Sequence, residues 1–381
     1  LEPGVFEAEV TRLLAERHAG ELYDDLLAAF EMELGRYGGR GRLPPFQFLA
    51  HHPLKIPEFV KLTSSSLRPA VNLKDYIDIT WNLRSGTPLR WAPAANLNKG
   101  SSPQWQLDEL LSVPLIEANE IVHRAMRSLD SNEQEHLLVH WSSLLDRFGT
   151  SHYLDEGDRA ETITHTRTLE LLQRVDQRLL LEAALRIAAL ASDSTLQQIE
   201  KWVERLAPLD PESSSRFRGD LLFRSVTPYG VILIGGAGPN YYGADAALII
   251  DLGGDDTYSN SCGAPPSEMG QRTGSVGVIV DLNGNDRYLA TADAALGSAV
   301  AGVGILIDKR GDDVYIGANL TQGSGFGGVG IVWDGSGNDL YLGQVAAQAS
   351  SFYGVGLLID DSGNDFYSAW QVAQGVGGSG G

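Results

Sequence analysis

Asp251, Asp281, Asp308, Asp334 and Asp360 each open a short glycine-centred segment, and Asp256, Asp286, Asp313, Asp339 and Asp365 each follow five residues later. Carboxylates at such regular spacing can hold hard cations, share protons, or accept backbone N–H groups in turns. The first of each pair begins Asp-x-x-Gly, the signature of a type I turn, so turn formation and cation binding both fit that column. The second lies two residues before a tyrosine (Tyr258, Tyr288, Tyr315, Tyr341, Tyr367), and strand alternation places both on one side. If the tyrosine faces the core, so does the carboxylate, and a buried charge needs a cation or a dense set of donors. Stacked ~4.8 Å apart, like charges repel by roughly 3 kcal/mol at an effective dielectric of ~20. Such ladders therefore require bound cations, saturating N–H groups or protonation. All ten aspartates are candidate ligands of a divalent cation. With hard oxygen donors and no histidine in this region, Ca²⁺ is the expected ion.

Other constellations offer less. His136 and His140 lie one helical turn apart, but Leu137 stands where a zinc protease places Glu. His51-His52-Pro53 sits in a loop, and Cys262, the single cysteine, has no histidine near it in sequence. There is no Gly-x-Ser-x-Gly elbow or Gly-x-x-x-x-Gly-Lys loop, and Gly235-Gly-Ala-Gly238 lacks a following helix and Lys. A segment unique to one repeat, Asn260 to Thr273, carries Glu268 and Arg272 and is the one place where a singular site could form.

The elements that position the aspartates are repeats. Gly304-Ile-Leu-Ile-Asp308-Lys-Arg-Gly311-Asp-Asp313-Val-Tyr315 shows the unit, and the first aspartates are spaced 30, 27, 26 and 26 residues apart. A degenerate copy, Ile234 to Tyr242, comes first, with Asn240 in the second aspartate column. Gln322, Gln348 and Gln374 recur 14 residues past their aspartates. Each unit holds a four-residue apolar run, a turn, a short Tyr strand and a Gly/Ala/Ser/Gln stretch able to supply a third strand. The period fits one coil of a parallel β-helix and is too short for a propeller blade. The fold class expected is α+β with two domains: a mainly α-helical domain over residues 1–226 and a parallel β-helix of about six coils over residues 227–381. Counting one period past Asp360 runs beyond Gly381, so further coils downstream, or end-to-end packing on another copy, are expected.

Half of each repeat resembles the repeats-in-toxin nonapeptide, Gly-Gly-x-Gly-x-Asp-x-U-x with U large and apolar. Gly254-Asp-Asp256-Thr-Tyr258, Gly284-Asn-Asp286-Arg-Tyr288 and Gly337-Asn-Asp339-Leu-Tyr341 carry the match, as do Gly311 to Tyr315 and Gly363 to Tyr367. The resemblance implies calcium at the second aspartate column within a parallel β-roll. Two departures stand out. The family's leading Gly is Asp in all five good copies, and its nonapeptides run in tandem rather than once per coil.

Composition separates the two parts. Of 44 glycines, 33 lie in residues 227–381, which hold 16 acidic residues against four basic ones. Helical periodicity runs through Leu22, Leu26, Leu27, Phe30 and Leu34 and over Thr162 to Leu190, with capping boxes at Ser131–Gln134 and Ser194–Gln197. Residues 36–107 suggest long packed loops with short helices. Apolar residues fill both parities of the first strand, for example Leu306 and Ile307, so that sheet must be covered on both faces, and the helical domain is the expected cover. A net charge of −20 excludes non-specific binding to nucleic acid and favours cations as partners, and no run of 18 apolar residues spans a membrane. The function expected is a secreted, cell-surface or periplasmic structural or binding protein with a calcium-stabilised solenoid. The alternatives are a carbohydrate-active enzyme using groove carboxylates, or a sugar-binding platform with outward tyrosines and polysaccharide as partner.

Overall fold

The computed structural model describes residues 5–36, 48–49, 52–67, 70, 72–85, 89, 102–149, 159–206, 209, 216–268, 271–272, 274–290 and 292–377. An N-terminal helical region leads into a C-terminal β-solenoid. Compactness divides the chain elsewhere, into residues 1–89 and 90–379. The helices beyond residue 90 belong with the solenoid.

The first unit contains α1 (Val5–Glu16), α2 (Gly20–Arg36), a 3-10 turn at Pro53–Lys55, α3 (Ile56–Leu67) and α4 (Leu73–Ser85). Leu73, Ile77 and Trp81, at helical spacing on α4, are its buried residues among those described. The segment expected to be loops with short helices thus includes two helices of three turns or more, while His51 and Trp91 lie outside the described residues.

In the second unit α5 (Pro103–Ala125), α6 (Ser131–Gly149), α7 (Arg159–Leu172), α8 (Gln177–Ala188) and α9 (Asp193–Val203) precede the strands. The caps differ from the expected boxes. Asp130, rather than Ser131, accepts the Glu133 N–H, and Glu133 returns the bond to the Asp130 N–H. Ser192 caps α9 by accepting the Thr195 N–H, two residues ahead of Ser194. The periodic stretch from Thr162 to Leu190 is two helices, because Asp176 turns its side chain onto the N–H groups of Arg178 and Leu179 and starts a new one.

The solenoid's long sheet stacks parallel strands Gly230–Gly235, Leu248–Asp251, Val276–Asp281, Val303–Asp308, Val329–Asp334 and Val355–Asp360. Leu221–Thr227 pairs antiparallel with the first of them and closes that edge. A second sheet stacks the tyrosine strands in register, so that Tyr288 pairs with Tyr258 and Tyr315, and Tyr341 with Tyr315 and Tyr367. The third strand of the unit forms a smaller sheet, Ala299–Val300, Gly325–Phe326 and Ser351–Phe352. Regular coils number about four rather than six. The rung of Gly235 returns to Asp251 without a third strand, and the rung of Asp251 carries the longer insertion.

Glycine at the turn is required by stacking. A Cβ on Gly311 would lie 1.5 Å from the carbonyl oxygen of Gly284, one coil below. Gln322 and Gln348 hold left-handed backbone conformations, and each amide nitrogen donates to two carbonyls on successive coils (Tyr315 and Leu342; Tyr341 and Ser368) at 2.9–3.2 Å.

The expected cover of the long sheet is present within the second unit. Helix α5 packs on Leu221–Thr227 and Val276–Asp281, and α8 packs on Val303–Asp308 and Val329–Asp334. The buried Asn119 of α5 accepts the Ser275 N–H at 2.7 Å, and Trp141 of α6 lies 6.0 Å from the Phe326 ring. This cover buries Ile250, Val280 and Ile307 on the outer face, while Leu306, Val332 and the tyrosines fill the interior. The last strand, Val355–Asp360, is partly exposed from Gly356 onward.

Candidate metal centre

Each long strand ends in the first aspartate, and its carboxylate turns back over the following residues. Oδ1 of Asp251, Asp281, Asp308 and Asp334 accepts the N–H two residues on at 2.9–3.1 Å, so the turn-forming role holds for this column. The other oxygen accepts a phenol from the coil before: Tyr258 donates to Asp281, Tyr288 to Asp308 and Tyr315 to Asp334 at 2.6–2.7 Å. Tyr242 donates likewise to Asp251, whereas Tyr367 donates to Asp360 of its own coil. The phenols are held in line by stacking, with ring centroids 4.6–4.9 Å apart and planes within 13° from Tyr242 to Tyr367.

The second column is satisfied on one side only. Oδ1 of each accepts the N–H of its counterpart one coil earlier: Asp256 from Asn240, Asp286 from Asp256, Asp313 from Asp286, Asp339 from Asp313 and Asp365 from Asp339, at 2.5–3.0 Å. Oδ2 of Asp256, Asp286, Asp313 and Asp339 is buried with no hydrogen-bond partner. These four residues are 1–2% exposed. Both columns converge. Carboxylate oxygens come within 4.8 Å of one another in four groups: Asp251/Asp256/Asp281, Asp281/Asp286/Asp308, Asp313/Asp334/Asp339 and Asp339/Asp360/Asp365.

Desolvation is the largest cause of the shifts that follow and raises every one of them. Asp251 and Asp334 are pushed up to about 6, Asp286 and Asp339 to about 7, Asp313 to about 8 and Asp256 to about 9. Asp281 and Asp308 are driven well above the carboxylate range, with neighbouring aspartates adding to burial. The tyrosines move up too, by burial and by the facing carboxylates, so the phenols remain donors. A cation here would replace protons on these acids, and the orphaned oxygens are hard donors of the kind Ca²⁺ takes. The donor chemistry fits.

The ladder has a built end. Where the degenerate copy places Asn240 instead of Asp, its amide donates to Asp251 Oδ2 at 3.0 Å and its carbonyl oxygen accepts the Asp220 N–H at 2.6 Å. Gly235 occupies the first-aspartate column of that rung, so this column of carboxylates begins at Asp251.

The tyrosine hydroxyls and Asn240 were not legible as donors from sequence, although the fixed offset of Tyr from Asp was the signal that carried them. The tyrosine column faces inward, with Tyr258, Tyr288, Tyr315 and Tyr341 fully buried, and this overturns the outward sugar platform. His136 lies 4.6 Å from His140 ring to ring and meets Thr168 Oγ1 at 3.2 Å, and neither histidine joins an acidic or cysteine partner in a metal-holding group among the described residues. Cys262 is buried, and burial pushes its thiol up to about 12, the opposite of an activated nucleophile. In the unique insertion, Ser267–Glu268 and Gln271–Arg272 pair as a short antiparallel ribbon, but the Glu268 and Arg272 side chains lie outside the described residues.

Comparison with protein-family models, with curated proteins and with solved structures finds no match to this chain.

Proposed function

We propose that this protein is a structural or binding scaffold whose solenoid is stabilised by calcium held along the aspartate ladder. One observation carries the reading: four carboxylate oxygens are buried without partners, each in a cluster of three acids. A lone carboxylate oxygen stripped of water and donors costs on the order of 1–3 kcal/mol, more when charged, and a divalent ion removes that cost at all three acids together. The short resemblance to the repeats-in-toxin motif points to the same ion at the second column.

A place outside the cytosol, at the cell surface or in the periplasm, follows from the same chemistry. Extracellular calcium modules work at roughly 10⁻⁴–10⁻³ M, where a ladder of this kind is filled without high affinity. No helix among the described residues is long and apolar enough to cross a membrane. Against a glycosidase-type reading, the repeated acids of the four central rungs are enclosed rather than set in a groove, where substrate must reach a carboxylate pair.

Thermal unfolding of the full chain in Ca²⁺ and in chelator tests the proposal. Melting should rise by several degrees with Ca²⁺, by simple linkage to the folded state. Superimposable curves contradict it.

A further inference from the structure

We infer that the ladder holds two divalent cations per chain, one in its N-terminal half and one in its C-terminal half, rather than one per coil. The inference rests on the calcium reading and adds its arrangement. Four groups of three acids are present, but they are not independent: the two N-terminal groups share Asp281, and the two C-terminal groups share Asp339. Neighbouring groups lie about one coil apart, ~4.8 Å. Two divalent ions at that distance repel four times as strongly as two unit charges, and desolvated surroundings screen little of it. Filling one seat of a sharing pair therefore disfavours its neighbour.

The make-up of the acid groups also changes in the middle, although the coils stack there without a break. The N-terminal groups each combine two first-column acids with one second-column acid, and the C-terminal groups combine one first-column acid with two of the second. At the crossover, Asp308, Asp313 and Asp334 do not form a group, although the sequence repeats through them without a change. Each half retains its own orphaned oxygens, on Asp256 and Asp286 in one and on Asp313 and Asp339 in the other. An ion among Asp313, Asp334 and Asp339 engages both orphaned residues of the C-terminal half. An ion in the N-terminal half engages Asp256 or Asp286 and leaves the other to a proton, and outer seats on either side of this gap avoid a close cation pair.

The test is the number of Ca²⁺ ions bound by the full chain, read by native mass spectrometry and by calorimetric titration, in wild type and three variants. Two ions are expected for wild type and for Asp312→Asn, an exposed change outside the ladder. Asp281→Asn and Asp339→Asn, each removing the acid common to one half, should bind one ion. Wild-type crystals soaked in Tb³⁺ add a measurement independent of variant folding, with two anomalous peaks expected, one on each side of the Asp308–Asp313–Asp334 gap. Any wild-type count other than two, a peak within the gap, or a folded Asp281→Asn chain that still binds two ions overturns the arrangement. A wild-type chain that binds no Ca²⁺ contradicts the calcium reading itself. Four ions, one per group, contradict only the pairing.

Discussion

Replacing Asp313 with Asn should stabilise the calcium-free protein at neutral pH, although it removes a repeated residue. Asp313 is 1% exposed, its Oδ1 accepts the Asp286 N–H at 2.6 Å, and its Oδ2 has no partner. Burial pushes its pKa from 3.8 to about 8. A folded-state pKa above the unfolded one means stability that is full below the unfolded value and is lost as pH rises through the folded value. At pH 7 most of that loss has been incurred, on the order of 4 kcal/mol for the free-standing group. Asparagine keeps the Oδ1 acceptor and puts an amide where the orphaned oxygen stood, able to donate to the neighbouring acids Asp334 or Asp339. Imperfect amide geometry and coupling within the cluster reduce the gain, leaving about 1–3 kcal/mol expected. Urea unfolding in chelator, at half-unit steps from pH 4 to pH 8.5, reads it directly. The Asn variant should match wild type near pH 4 and gain on it steadily toward pH 8. A difference that does not vary with pH, or a variant less stable than wild type at pH 7.5, would refute the claim that Asp313 is a buried acid held at a cost.

Further outcomes follow from the same geometry. In chelator, the wild-type protein should lose stability as pH rises from about 4 to 9, between the ordinary carboxylate value and the raised folded-state values of Asp251, Asp334, Asp286, Asp339, Asp313 and Asp256. Calcium should flatten the profile, and urea midpoints across the range check both. Tyr288→Phe keeps stacking at 4.7 and 4.9 Å but removes the O–H donor to Asp308, costing about 1–3 kcal/mol. Tyr288→Ala, which also opens the core, should cost about 3–5 kcal/mol, and chemical denaturation of the pair separates the two contributions. Asn119→Ala removes the side-chain oxygen that accepts the Ser275 N–H and should cost about 1–3 kcal/mol, seen as faster amide exchange in strand Val276–Asp281 as well as a lower urea midpoint.

The solenoid was largely legible because its information is repeated. The glycine at each turn, the inward Tyr and the Asp-x-x-Gly opening recur in columns, and stacking converts a column into a ladder with a single register. Departures from the repeat were harder to read. Whether the rung of Ile234 to Tyr242 is a full coil depends on a third strand, and no residue type marks its absence. The meeting of the two aspartate columns depends on the angle between two sheets, which strand alternation alone does not give. Helix ends were legible in position but not in detail. Asp130 and Ser192 each took a cap expected of a neighbour with similar chemistry, because φ/ψ at the entry decides which oxygen reaches the free N–H groups, and Asp176 starts a new helix inside a stretch whose apolar period continues across it. The compact unit beginning near residue 90 crosses the compositional boundary at residue 226 because helix docking follows apolar faces rather than glycine content.

The central claim, that cations enter the buried ladder, is tested most directly by terbium luminescence excited through tyrosine. The stacked phenols donate to first-column acids within 2.6–2.7 Å, so Tb³⁺ seated among those acids lies close enough to be sensitised by them. The account predicts saturable Tb³⁺ emission on tyrosine excitation that Ca²⁺ displaces and that is lost in the Asp281→Asn/Asp339→Asn double variant. Emission that is absent, or that survives both Ca²⁺ and the double substitution, would contradict it.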